Sequence, residues 1–272
     1  MNTPYLRYGR RVWTSLEKVI ARGHPKHEVF ADWLNLMLDA YLSLTDNFAR
    51  KGKNDPDDLD GPYEDRYAAT AARYNRKDML ALVQAYLDLA VGVERQGSDV
   101  LGEIYTKCIR PGHAKYFSPQ RAAEHVSQLG LRAGMCVHDP CCGSGKMLVE
   151  AGKVADVELL GEDSDPVCAR MCALNLVLFH FRGQVREGNS VKFVREWRIA
   201  KGHISEHGRG DEEARDQGAA ELAPERSSGR RGSDTPHPRE TRLHGEQASS
   251  NEVMAPVLLG GRRELAHTAA RR

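Results

Sequence analysis

The sequence predicts an α/β protein: a helical N-terminal part, a parallel βα part, and a polar C-terminal stretch with no core of its own. Three observations carry this. Apolar residues recur at helical spacing as far as about residue 97, the rhythm changes to strand, glycine turn and helix from Met135, and large apolar residues nearly vanish after about residue 205. Boundaries on these grounds fall at 1–97, 98–200 and 201–272.

In the first part, "HEVFADWLNLMLDAYLSL" places Val29, Phe30, Trp33, Leu34, Met37, Leu38 and Tyr41 three and four residues apart, on one face of a helix. "KNDPDDLDGP" is rich in turn formers and reads as a loop. A second amphipathic helix starts near Asp78, with Met79, Leu82, Val83, Tyr86, Leu87, Ala90 and Val91 on its apolar side. Ser98 or Asp99 can cap a further helix through "DVLGEIYTKC".

From Met135, "MCVHD" reads as a short buried strand and "SGKMLVEAGKVA" as a helix entered through glycines. "VELLGED" is a second strand, "DPVCARMCALNLVLFHF" a second helix with Pro166 in its first turn, and "QVREGNS" a third strand. Alternating units of this length imply a parallel sheet with helical crossovers, a partial doubly wound (Rossmann-like) domain. Beyond residue 205 the Gly, Pro, Ser and mixed charges cannot bury enough surface to offset chain entropy, so disorder is expected there. That stretch accounts for a mean hydropathy of −0.56 in a chain that is 40% hydrophobic.

The formal net charge is +1, so no global basic field recruits nucleic acid, and a DNA contact needs a local patch or a partner chain. Neither a signal peptide nor a membrane-spanning segment is expected, since no apolar run reaches membrane length, and the six cysteines lack secreted or zinc-module spacing. Reduced thiols, no metal, no membrane and a cytoplasmic setting are the simplest expectations.

"VHDPCCGSGKML" holds the informative turn. In a parallel βα unit the ligand sits at the carboxyl end of the strand. A phosphate-cradling P-loop would need Gly at 140 and Ser or Thr at 147, where Pro140 and Met147 stand. A dinucleotide fingerprint would need Gly at 148, which is Leu148. An acid entering the turn, Asp139, repels phosphate and suits an ammonium or sulfonium. A second acid in "GEDSDP" ends the next strand, where a carboxylate can accept both hydroxyls of a ribose. A cationic amino-acid head joined to a ribose describes S-adenosyl-L-methionine.

"DPCCGSGKML", "LLGEDSDPVCARMCALNL" and "REGNSV" resemble the cofactor half of the adenine-N6 DNA methyltransferases, most closely the modification subunits of type I restriction systems. "DVLGEIYTKCIRPGHAKYFSPQRAAEHV" is similar to that family's linker and Phe-Thr-Pro segment, with Ser118 in place of Thr. The resemblance implies that Phe117, Ser118 and Pro119 line the methionine end of the cofactor. It places Asp139, Pro140, Gly143 and Gly145 around the amino-acid head, Asp163 on the ribose hydroxyls, Ser164 beside the adenine and Asn189 at the adenine edge. It also implies DNA as a partner, and a specificity or completing subunit. Family members carry an Asn-Pro-Pro-Phe or Asp-Pro-Pro-Tyr tetrapeptide that orients the target amine, and this sequence contains no Pro-Pro pair. No catalytic residue is therefore assigned. A methyltransferase that another polypeptide completes and a non-catalytic or truncated cofactor-binding protein both stay open. The resemblance leads one to expect further strands after "EGNSVKFVREWRI", where the composition instead turns polar and irregular.

Overall fold

The computed structural model describes residues 6–50, 61–111, 119–188 and 192–208. The helical part comprises α1 (Leu6–Ile20), α2 (Lys26–Arg50), α3 (Pro62–Ala71) and α4 (Arg76–Gln96). All seven apolar residues expected on one face of α2 are buried. α4 starts two residues before Asp78 because Asn75 builds a capping box. Its side chain accepts from Lys77 N at 2.8 Å and Asp78 N at 3.1 Å, and the Asp78 carboxylate accepts from Asn75 N at 3.3 Å. The helix ends at Gly97 in the left-handed conformation. Two of the residues expected on its apolar face, Leu87 and Val91, are exposed. The buried stripe takes in Ala81, Ala85 and Leu89, which are four residues apart, and the helix approaches α1 closely at Gly92, where a Cβ would stand 2.9 Å from Tyr8 Cβ.

α5 (Val100–Ile104) is capped by Asp99, whose carboxylate accepts from Gly102 N at 2.7 Å, and it runs into a π-helical turn, Tyr105–Ile109. After α6 (Pro119–Gln128) the chain alternates β1 (Cys136–Asp139), α7 (Lys146–Val154), β2 (Glu158–Asp163), α8 (Pro166–Leu178) and β3 (Arg182–Gly188). These three strands pair in parallel, as the alternation predicts, but β1 is not the buried strand expected: it stands at the edge of the described sheet with Cys136 and His138 exposed.

Beyond Ile199 the chain departs from the irregular character expected there, because two further strands form a hairpin across that point. β4 (Phe193–Ala200) pairs antiparallel with β3, and β5 (His203–Gly208) antiparallel with β4, giving the mixed order β1-β2-β3-β4-β5. Lys201 and Gly202 form the two-residue hairpin loop, both with positive φ, which matches the twist of the flanking strands. β5 thus lies inside the stretch that composition assigns to the polar tail, and the remainder, residues 209–272, lies outside the described residues.

The register gives the sheet two unlike sides. Leu159, Gly161, Gly183, Val185, Trp197, Ile199 and Ile204 lie on one side and are buried. There Cys172 of α8 and Leu148 of α7 close on Gly161, and Arg66 of α3 reaches Glu206 at 2.8 Å. The opposite side carries a polar ladder. His138 lies 3.6 Å from Glu162, Glu162 lies 3.6 Å from Arg186, and Arg186 and Arg198 each donate to Glu196 at 2.9 Å. One hydrophobic core runs from the helical part through the buried side of the sheet.

Candidate functional site

β1 delivers Asp139 to the rim of the sheet, and the turn that follows reaches α7 through Gly143 and Gly145. Both glycines have left-handed φ, 55° and 79°, a conformation that side chains resist. A Cβ on Gly145 would also stand 2.6 Å from Cys172 Sγ. The turn is stitched to the neighbouring strand end: Cys142 N donates to Glu162 O at 2.9 Å, and Gly143 N donates to Asp163 Oδ2 at 2.8 Å. The second oxygen of Asp163 accepts from Asp165 N at 2.9 Å. A carboxylate offers about four acceptor positions, so both oxygens keep a free lone pair. Asp165 in turn caps α8 through Val167 N and receives the Tyr105 hydroxyl at 3.1 Å.

Asp139 Oδ1 accepts from Cys141 N at 3.2 Å. Burial raises its carboxyl above the ordinary aspartate range; the Cys141 amide opposes this, and the negative charge of Asp163 adds to it. Two acids from successive strands thus face the same turn, one already strained by the other's charge. Pro140 and Ser164 are exposed beside them. Pro119 opens α6, and Phe117, Ser118 and Asn189 lie outside the described residues.

The structure adds a cluster beneath the turn that motif reading did not reveal. Asp99, Ser144 and Asn175 are buried together. The Ser144 hydroxyl donates to Asp99 Oδ2, while Asn175 Nδ2 donates at 2.8 Å to both Asp99 Oδ1 and the Ser144 carbonyl. A polar Asn within the apolar run "CALNLVL" is the one signal in the sequence that points to it. Cys142 and Cys172 pack against Gly161 with their sulfurs 3.2 and 3.0 Å from where its Cβ would stand, and the contact with Cys172, then burial, pushes the Cys142 thiol up. These thiols are packing groups rather than nucleophiles.

The donor set fits the amino-acid head and ribose of S-adenosyl-L-methionine on chemical grounds. A cation beside Asp139 would offset the burial and the Asp163 charge that raise its carboxyl, and Asp163 has acceptor capacity on both oxygens at a strand end.

Residues 96–196 match the family model described as N-6 DNA Methylase, the segment that contains the turn, both acids and the Asp99 cluster. Among individual proteins, the chain is similar to the type I restriction enzyme MjaIX methylase subunit of Methanocaldococcus jannaschii, with 25% identity over 128 residues. That alignment covers 42% of this chain and 23% of the relative, so the chain spans about a quarter of the relative's length. No solved structure matches. The resemblance to adenine-N6 methyltransferases of the restriction-modification type thus holds over the segment whose motifs carry it. No helix among the described residues is long and apolar enough to cross a membrane.

Proposed function

We propose that the chain binds S-adenosyl-L-methionine at the carboxyl ends of β1 and β2, as the cofactor-holding part of a site-specific adenine-N6 DNA methyltransferase of the restriction-modification kind. The observation that carries this reading is the convergence of Asp139 and Asp163 on one glycine turn, with Asp139 held above its ordinary range by burial and by its neighbour's charge. When bound, the cofactor supplies an electrophilic methyl group on its sulfonium. The chain's own residues hold and orient it. Asp139 faces the ammonium with Pro140, Gly143 and Gly145 around it, Asp163 accepts the ribose hydroxyls, and Ser164 lies beside the adenine. Phe117, Ser118 and Pro119 at the methionine end, and Asn189 at the adenine edge, complete the assignment. Domain limits of 1–97, 98–200 and 201–272, a cytoplasmic location, DNA as substrate, and a specificity or completing subunit as partner belong to the same reading.

Methyl transfer requires the target amine to be held in line with the methyl group, and the residues that do this in the family have no counterpart in the sequence. The isolated chain is therefore expected to bind cofactor and to transfer little methyl to DNA. That character equally describes a non-catalytic cofactor-binding subunit. Titration calorimetry should show binding by the chain and a loss of about 1.5–3 kcal/mol on Asp163→Ala, the value of hydrogen bonds to a charged group. Equal affinity in the variant removes the ribose assignment. Mass spectrometry of unmethylated DNA incubated with chain and cofactor should show little methyladenine, and robust turnover would sink the non-catalytic description.

A further inference from the structure

We propose that Asp99, at the start of the short helix α5, is a positioning residue for the glycine turn, and that it makes ligand affinity at the turn depend on the seating of α5. The proposal rests on the reading that the turn holds a cofactor.

The geometry is specific. Ser144 lies between the two left-handed glycines and is fully buried. Its hydroxyl is taken by Asp99 Oδ2, and its carbonyl by Asn175, which is itself fixed by Asp99 Oδ1 at 2.8 Å. Asp99 thus holds the middle of the turn by two routes, one direct and one through α8. Its remaining bond, from Gly102 N at 2.7 Å, anchors the carboxylate to its own helix. Gly102 has no alternative residue in this arrangement, because a Cβ there would collide with Asp99 Oδ2 and Ser144 Oγ.

The turn is short of other restraints on this residue. Gly143 is tied to Asp163 and Gly145 to the Cys142 carbonyl, both within the sheet-and-turn unit. Asp99 and Ser144 are 45 residues apart, and their bond, together with that from Asn175, ties the turn's position to α5. Three donors converge on one buried carboxylate, which keeps all of them only when every member is in place, while the Asn175 amide oxygen is buried without a partner. Releasing Ser144 frees the peptide between Gly143 and Gly145, and with it the Gly143 N–H that holds Asp163 in place.

The test compares Ser144→Ala, Asp99→Ala and Asp99→Asn with Leu89→Ala, a fully buried core truncation in α4. Each is measured three ways: thermal melting, S-adenosyl-L-methionine affinity by calorimetry, and hydrogen exchange at the turn amides without cofactor. Ser144→Ala and Asp99→Ala should bind cofactor about tenfold more weakly or worse, as expected on losing a hydrogen bond to a charged group, and their turn amides should exchange faster. Asp99→Asn should restore most of the affinity, because its amide oxygen still accepts from Gly102 and Asn175 while its nitrogen donates to the Ser144 hydroxyl. Leu89→Ala should lower the melting temperature while leaving affinity and turn exchange near wild type. Affinity that tracks melting temperature across all four variants would overturn the proposal, as would wild-type turn exchange in Ser144→Ala. Failure of the wild-type chain to bind removes the cofactor reading alone, since the exchange measurements still decide whether Asp99 holds the turn.

Discussion

At the scale of single residues, the Asp139 carboxyl carries the clearest chemical signature. Burial, then the charge of Asp163, raise it in the folded chain above its ordinary value of 3.8, against the Cys141 amide. A raised carboxyl binds its proton more tightly in the folded than in the unfolded state. Its contribution therefore favours folding at low pH, and it is lost as pH rises from the ordinary value through the raised one. A cationic ligand needs the ionised form, so its affinity should climb over that same acid window. Asp139→Asn should make the free chain more stable near neutral pH, weaken cofactor binding, and flatten the acid limb of the affinity profile. Calorimetry and thermal melting across that pH range check all three, and an unchanged profile would detach Asp139 from the ligand. The two acids were readable because strand ends in βα units occupy fixed places relative to the turn. The Asp99–Ser144–Asn175 cluster was not, since its members lie 45 and 76 residues apart and only folding unites them.

Among elements, the outcome followed how directly local pattern decides burial. The α2 stripe is wide enough to survive any small rotation, so its seven positions were all legible. On α4 the small residues Ala81, Ala85 and Ala90 carry little hydrophobic signal yet are buried, while Leu87 and Val91 carry a strong one and face solvent. The β4–β5 hairpin escaped for a related reason. Its outward residues are charged, so "FVREWRIAKGHISEHG" resembles a polar run, although Trp197, Ile199 and Ile204 alternate inward and Lys201-Gly202 fits a tight loop. Trp197 is fully buried and its indole N–H donates to Glu206 at 3.0 Å, beside the ion pair of Glu206 with Arg66. Trp197→Ala should cost about 3–5 kcal/mol, the usual range for a large buried aromatic, and denaturant titration reads it. A loss under 1 kcal/mol would mean that the hairpin is not part of the cooperative fold.

Across the whole molecule, the core does not divide where the sequence does. Buried residues from α1, α2 and α4 join those of α8, β3 and β4 in one cluster, and Arg66 binds Asp39 of α2 and Glu206 of β5 together. Scanning calorimetry should therefore show one transition, with calorimetric and van't Hoff enthalpies in agreement. Two resolved transitions would restore an independent helical domain. The ladder of His138, Glu162, Arg186, Glu196 and Arg198 has its own consequence for assembly. Glu162 and Glu196 are already buried among their partners, but covering that side with an apolar helix would strip water from Arg186, Arg198 and His138, and dehydrating an ion costs several kcal/mol. β1 meets β2 alone among the described strands, so further strands can join at its free margin without disturbing the ladder. Growth of this protein with a partner is therefore expected to proceed sideways, extending the sheet in its own plane, while its ionic underside stays wet.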